Sequence, residues 1–528
     1  MNEDILTKSV RVVIFLVTFL FGSLLFFINH INGPGYWPDS ISYISASEHL
    51  LSGKGFVQYD GTPFVAWPPL FPVLLAFIKL LTNFDYKLIT NIVNILSFIT
   101  TIYVSSMLLS KLIKPRFLVY FFMLFVIVSL SLIGVSQWAG TEILFISLTM
   151  LFFYSLYHYF AQGKTYVLII MAIIAMLCNL LRYPAIILTF AGFFIILFGH
   201  GLNNWRRHFK KAIIFGLISC LPIIFWSMRN YFLTETFFGL RGTSRYSVST
   251  NIKLTLFTIY MLFYPVLRPF ITTMIIALSS LLITIILFYI LTKKHIFLTH
   301  VKAIFNQEFV KTKLVVALFG YTIFYLSFII FISSIKAHDE IGNRLLAPIF
   351  IPLTIIAFYI CGRVSKYILH SVIINTLVVS LFGLSFVSNI YASFKSIKRQ
   401  IKFGLGYNSI SISKSEMINF LRTNFNSLVS NDTYILSNDP HLVYYATKEE
   451  TQWAPLKRMY NSADTLNNLS KIRDNLAKRI PFFLIWFYAK EKSRSHWIFS
   501  LNELSSTFKL DTLNYFSDGL ILKCTGIF

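Results

Sequence analysis

Val10-Arg-Val-Val-Ile-Phe-Leu-Val-Thr-Phe-Leu-Phe-Gly-Ser-Leu-Leu-Phe-Phe-Ile28 is the stretch that decides the fold. Arg11 is its one charge. Its length matches the ~20 apolar residues that carry a helix across ~30 Å of hydrocarbon. Lys8 and Arg11 open it and no small-residue cleavage site follows closely. It therefore reads as an uncleaved signal anchor with the N-terminus inside. Comparable blocks recur at 88–109, 117–135, 143–161, 165–181, 184–200, 212–227, 270–292, 314–334, 346–361 and 367–391. The expected architecture is a polytopic α-helical membrane protein with about 11 spans over residues 1–391.

Composition agrees. Of 528 residues, 56% are hydrophobic and 13% charged, where soluble domains carry about 25% charged residues. The net charge of +24 would suit a nucleic-acid binder if it were spread over one surface. Instead the cations cluster between apolar blocks: Lys111, Lys114 and Arg116, then Arg206, Arg207, Lys210 and Lys211, then Lys293, Lys294, Lys302, Lys311 and Lys313, then Arg363 and Lys366. Alternate loops carry them, as cytoplasmic loops do. The charge thus reports topology and contact with anionic lipid, not nucleic acid. A bacterial inner membrane is the expected location, with the C-terminus outside.

Pro68–Leu81 is too short to cross, and counting it would place Lys111–Arg116 on the wrong side. It reads as a helix on the outer surface, with two prolines in its first turn where missing N–H groups cost little. Ile252–Leu267 has a similar character. Residues 392–528 are more polar. Strand-like runs (Thr433–Leu436, Phe482–Phe487, Leu520–Lys523) alternate with helix-like ones (Lys414–Phe425, Ala463–Lys478), which predicts a small extracytoplasmic α/β domain. Three of the four cysteines, Cys178, Cys220 and Cys361, lie in apolar blocks and the fourth, Cys524, stands alone in this domain. No disulfide framework or zinc site follows. No nucleotide-binding glycine motif occurs.

The first outer loop, 29–87, holds the unusual chemistry: Gly33-Pro-Gly-Tyr-Trp-Pro-Asp39-Ser-Ile-Ser-Tyr43 and Trp67-Pro-Pro-Leu-Phe-Pro72. Asp39 has two readings. It can cap the helix marked by Ile41, Ile44, Glu48 and Leu51 and closed by Gly53. It can also act as a general base at the membrane face. The two roles are compatible. Further polar groups recur at span ends: Thr141-Glu142, Arg182-Tyr183, Arg229-Asn230 and Lys336 to Arg344. Singly each reads as an interfacial side chain reaching for water. Together they describe a face suited to an anionic headgroup, since the arginine fork donates paired hydrogen bonds to phosphate. His338-Asp339-Glu340 reads as a solvated turn.

The ordered series Asp39-Ser-Ile-Ser-Tyr43, Ala46–Leu51, Gly53-Lys-Gly55, Trp67–Pro72, Thr141-Glu142 and Arg344-Leu-Leu-Ala-Pro348 resembles the GT-C glycosyltransferases. Nearest in kind are the family-39-like enzymes, which include protein O-mannosyltransferases and lipid A aminoarabinose transferases. The resemblance covers roughly 1–390. It implies inverting transfer of a sugar from a polyprenyl-phosphate donor to a glycan, lipid or protein acceptor at the outer face. On that resemblance Asp39 would be the general base and Glu142 would orient a substrate. Arg344, Arg229 and Arg182 would bind the donor phosphate, with Tyr43, Lys54 and Trp67 supporting the loop. It implies no certain cofactor, and a divalent metal only if Glu142 helps to hold one. This chain departs from the family pattern at Ser40, where a second acid is common, and at Leu345, where tyrosine is common. The alternatives are a transporter or flippase of lipid-linked saccharide, or a non-catalytic membrane scaffold. A transporter would place charges deep in broken spans, whereas polar residues here gather at span ends.

Overall fold

The computed structural model describes residues 8–199, 205–266, 309–364, 372–428, 434–466, 473–474, 476–479 and 481–528. The expected span at 270–292 and the cluster Lys293, Lys294 and Lys302 lie outside them. Among the described residues, seven helices are long and apolar enough to cross a membrane, or eight if one bent pair is a single span. The long ones are α1 (Lys8–Asn32), α4 (Tyr86–Leu112), α7 (Glu142–Gln162), α10 (Trp205–Thr234), α12 (Phe309–Ile335), α13 (Asn343–Val364) and α14 (Val372–Phe403). The bent pair is α5 (Arg116–Ile127) with α6 (Leu130–Ser136), turned by 46°. Shorter apolar helices are α3 (Leu70–Thr82), α8 (Thr165–Leu181), α9 (Ile186–Phe198, after a single turn at Tyr183–Ala185) and α11 (Val248–Phe263). The chain is an integral membrane protein of helical type.

Lipid leaves its mark on the exposure pattern. On α1 Phe15, Phe19, Leu20 and Phe27 are all exposed, an arrangement that only an apolar solvent tolerates. On α4 the opposite holds. It is enclosed by α1, α5 and α7 and buries Asn91, Asn94, Ser97, Thr101, Ser105 and Ser106. Small and hydroxylated residues let backbones approach, which is how helices pack where no hydrophobic drive operates between them. The break between α5 and α6 exposes backbone groups inside the bundle, and side chains satisfy them. Leu130 N–H donates to Asn389 Oδ1 at 3.0 Å and Val128 O accepts from Ser393 Oγ at 2.8 Å; at the far end of α6, Asn94 Nδ2 donates to the carbonyls of Ser136 and Trp138 at 3.0 and 2.8 Å. Unpaired, such groups would cost several kcal/mol in hydrocarbon.

The C-terminal part carries one five-stranded sheet in the order β2-β1-β3-β5-β4. Its strands are β1 (Tyr434–Ser437), β2 (Gln452–Trp453), β3 (Phe482–Phe487), β4 (Phe508–Phe516) and β5 (Gly519–Ile527). The first three are parallel and β5 is antiparallel to both β3 and β4. All six residues of β3 are buried, so both sheet faces are covered. Phe483, Ile485 and Phe487 join the core that runs into the membrane part. They do so beside α15 (Glu416–Leu428) and α16 (Pro440–Thr447), while Phe482, Leu484 and Trp486 build a second core with Trp497 and Phe508. The last membrane helix, expected to end at 391, continues to Phe403. The helix expected at 463–478 does not start there, because Ser462 bridges to Ser244 and Thr465 to Arg458 instead.

Candidate functional site

Gly35 begins the site. Its N–H donates to Gln137 O at 2.8 Å and its carbonyl accepts from Ala139 N–H at 2.9 Å. A Cβ at this position would strike the Trp138 ring and Leu405. That close seat fixes the next element, α2 (Pro38–Leu51). Trp37 precedes it and stacks on Trp138, with ring centroids 4.1 Å apart and 12° between planes. Trp37 N–H donates to Ser40 Oγ, which in turn donates to Ala139 O at 2.6 Å. The expectation that Asp39 caps this helix is therefore corrected. Trp37 holds the cap position and Asp39 lies inside the first turn with its carboxylate turned outward to Arg344.

Arg344, on the first turn of α13, joins two carboxylates closely and a third, Asp339, at 3.7 Å. One nitrogen meets Asp39 directly and Nε donates to Glu142 Oε1 at 2.7 Å, while its guanidinium lies 4.8 Å over the Trp37 ring. Glu142, first residue of α7, also accepts from Arg182 at 2.5 Å, and Arg182 donates to Thr141 Oγ1 at 3.2 Å. Exposure divides the chain of charges. The side chains of Glu142 and Arg182 are 3% and 10% exposed, whereas those of Asp39 and Arg344 are 23% and 25% exposed. The inner pair is a sealed support and the outer pair faces open space.

The other expected residues take different places. Arg229 does not reach the cluster. Its guanidinium donates to the carbonyls of Phe64 and Phe56 at 3.0 and 3.3 Å and lies 4.7 Å over Trp226, so it ties down the first loop. Tyr43 is buried beneath Asp39 against Phe64, Trp67 and Phe71. Lys54 is exposed and pairs with Glu450 of the C-terminal part at 3.4 Å.

Sequence reasoning missed Arg241. It sits on the loop between α10 and α11, and the fields of Asp39 and Asp339 reach it. Arg241 donates to His338 Nδ1 at 3.0 Å. An arginine has no acceptor, so that nitrogen carries no proton and His338 is neutral. Burial and the neighbouring Arg241 push the imidazole down to about 4. The turn at His338–Glu340 is thus not merely solvated, since His338 is half-buried and bonded. Among the described residues Arg241 forms no ion pair with a carboxylate. The only signal for it was one of two arginines, Arg241 and Arg245, in the loop 235–247.

The C-terminal part covers this end of the bundle. Tyr407 N–H donates to Tyr36 O at 2.9 Å, and Asp464 accepts from Thr243 N–H and Oγ1 at 2.8 and 2.6 Å, two residues from Arg241. His441 lies 4.0 Å from the Tyr59 ring, and burial pushes its imidazole down to about 4. Asp439 is fully buried with Arg494, Lys490 and the Tyr407 hydroxyl; burial acts to raise its carboxyl, but the two cations outweigh it and hold it low. Among the described residues no group of three or more His, Cys, Asp or Glu is placed to hold a metal. Asp39 and Glu142 each turn an oxygen to Arg344, which is not how carboxylates converge on a divalent ion.

No protein-family model matches the chain, and no curated protein matches it. Solved structures do. The crystal structure of ArnT from Cupriavidus metallidurans in the apo state aligns with 97% of this chain and 97% of its own, at 11% identity and a TM-score of 0.58. The same protein bound to undecaprenyl phosphate aligns over 98% of each chain at 12% identity and a TM-score of 0.59. The likeness spans the membrane part and the C-terminal sheet together. The GT-C-like fold expected from the sequence is the fold observed.

Proposed function

We propose that this chain moves a sugar from a polyprenyl-phosphate donor to an acceptor hydroxyl at the outer face of the membrane, with inversion. The reading is carried by one observation. Asp39 and Arg344 form an accessible acid–base pair at one end of the bundle, held from behind by Glu142 and Arg182. The similar ArnT structure that binds undecaprenyl phosphate supports the donor class.

In this reading Asp39 takes the proton of the acceptor hydroxyl. The acceptor oxygen bonds to the anomeric carbon from one side as the bond to the phosphate oxygen breaks on the other. The leaving polyprenyl phosphate keeps that bond's electron pair. Arg344 and Arg241 neutralise it, and stabilisation of developing charge by fixed donors is commonly worth several kcal/mol. Without donor, Arg344 is held by Asp39. A phosphate would draw the guanidinium away and leave Asp39 free as a base. Arg182 and Glu142 orient Arg344 and do not touch substrate. Arg229 positions the loop. The donor set does not fit a divalent ion, and no step requires one.

The test uses the full chain. Mass analysis of surface glycans and lipid carriers in a deletion strain identifies the missing product. Asp39→Asn, restored to that strain, is expected to leave the product absent while the purified variant still binds undecaprenyl phosphate. Full restoration by Asp39→Asn would overturn the assignment. Arg344→Ala is expected to weaken undecaprenyl phosphate binding itself.

A further inference from the structure

A cavity of about 400 Å³ lies along the other side of α2. Ile41, Ile44 and Glu48 line it, and helical periodicity sets them opposite Asp39 and Tyr43. Its remaining walls bring four cations together: Lys79 from the end of α3, Lys87 from the first turn of α4, Arg422 from α15, and Lys448 just after α16. Two acids face them and both are engaged. Glu48 pairs with Lys448 at 2.7 Å and accepts from the Tyr444 hydroxyl at 2.8 Å, and Asp85 caps α4 by accepting from Leu88 N–H at 2.7 Å. Among the described residues, Lys79, Lys87 and Arg422 have no carboxylate partner. Four cations against two carboxylates leave the lining two positive charges in excess, which calls for an anion.

The surroundings say which kind. On α3, beside Lys79, Phe77, Leu80 and Leu81 are exposed, and Phe84 follows in the loop to α4. An exposed apolar strip on a helix at the membrane surface is covered by acyl chains. Cationic cavity and apolar strip therefore meet at Lys79, in the order headgroup then chain. Arg422 and Lys448 come from the C-terminal part, so the cavity exists only where the two parts of the molecule meet.

We propose that this cavity binds the phosphate headgroup of an anionic membrane lipid, whose acyl chains lie along Phe77, Leu80 and Leu81. The occupant would brace α2 from the side away from Asp39 and join the first loop to α15 and α16. The site is distinct from the Asp39–Arg344 pair and does not depend on the transfer reading.

The full chain, purified in neutral detergent, is titrated with phosphatidylglycerol, phosphatidylcholine and inorganic phosphate while its melting temperature is followed. Phosphatidylglycerol is expected to raise the melting temperature; phosphatidylcholine is not, and inorganic phosphate only at far higher concentration. In Lys79→Gln/Lys87→Gln/Arg422→Gln the midpoint for phosphatidylglycerol should rise about a hundredfold. Arg206→Gln/Arg207→Gln/Lys210→Gln on α10, which removes the same charge elsewhere, should keep the wild-type midpoint. If the cavity variant fails to fold, Lys87→Gln and Arg422→Gln alone are each expected to raise the midpoint about fivefold. An unchanged midpoint in the cavity variants overturns the site, as does an equal loss in the α10 variant. Equal response to free phosphate and lipid overturns the lipid assignment. Asp39→Asn should respond as wild type, so the outcome stands apart from that of the transfer test.

Discussion

Asp39 and Arg344 hold each other where substrate would enter, and the kind of cation matters there. Arg344 meets Asp39 and Glu142 through separate nitrogens while stacking on Trp37. Lysine supplies the charge without the fork or the flat face. Arg344→Lys is expected to lower transfer at least tenfold, about 1.4 kcal/mol in kcat/KM, with the protein still folded. A second residue-scale prediction concerns acid. His338 and His441 are both held neutral, pushed down to about 4 chiefly by burial, while an unfolded chain titrates its histidines near 6.5. Between those values the unfolded state binds more protons than the native one, so stability falls as pH drops from about 6.5 toward about 4. Melting temperature against pH should show that loss, and His441→Gln should flatten it. An unchanged slope in that variant would refute the assignment. Asp39 and Arg344 were legible because they sit in an ordered series at span ends. The partner of Arg229 was not, because backbone carbonyls of a loop leave no trace in composition.

Among the elements, α4 and the broken pair α5–α6 show what the sequence conceals. Their apolar blocks led to the expectation of a span at 117–135, and the structure has there two helices turned by 46° at a break. At the bend Asn389 and Ser393 bond the freed backbone, and at the far end of α6 Asn94 does; all three read in the sequence as ordinary polar residues. Asn94→Leu removes the donor to Trp138 O and the shorter of the two donors to Ser136 O, which Asn29 also meets at 3.3 Å. The expected cost is about 1–3 kcal/mol, seen as a lower melting temperature. Because Trp138 supports Trp37, transfer should fall as well; a variant with wild-type stability and activity would contradict this account. That α3 is a short helix was legible for a plain reason. Two prolines and a short apolar run predict it, but the helix starts at Leu70 with Pro69 at the cap, so the prolines stand ahead of the first turn and not in it; Phe77, Leu80 and Leu81 are exposed. The sheet was legible in part. Phe482–Phe487 declares itself by six consecutive apolar and aromatic residues, whereas β2 has two residues and no pattern to detect.

On the scale of the whole molecule, the unread feature was the joining of the first loop to the C-terminal part. Sequence periodicity speaks about neighbours in the chain, not about Tyr444 meeting Glu48. The proposed topology makes a direct prediction. A single cysteine placed at Lys54 or Glu450 should react with an impermeant reagent added to intact cells, and one at Lys114 only after permeabilisation. The reverse pattern would invert the molecule and remove the outer-face chemistry. The staple between Thr243 and Asp464 belongs to the same scale. Asp464→Ala frees the loop bearing Arg241 and is expected to raise KM for donor more than it lowers kcat, a split that general loss of stability would not give. The bond from Tyr444 to Glu48 spans 396 residues of chain. At ordinary translation speed, roughly 20 to 80 seconds separate the emergence of its two ends. The loop that bears Asp39 thus waits for this one brace until Tyr444 is made, although Arg344 is made earlier. A chain cut before Tyr444 would keep the Asp39–Arg344–Glu142 pairing within reach but would leave α2 without this anchor.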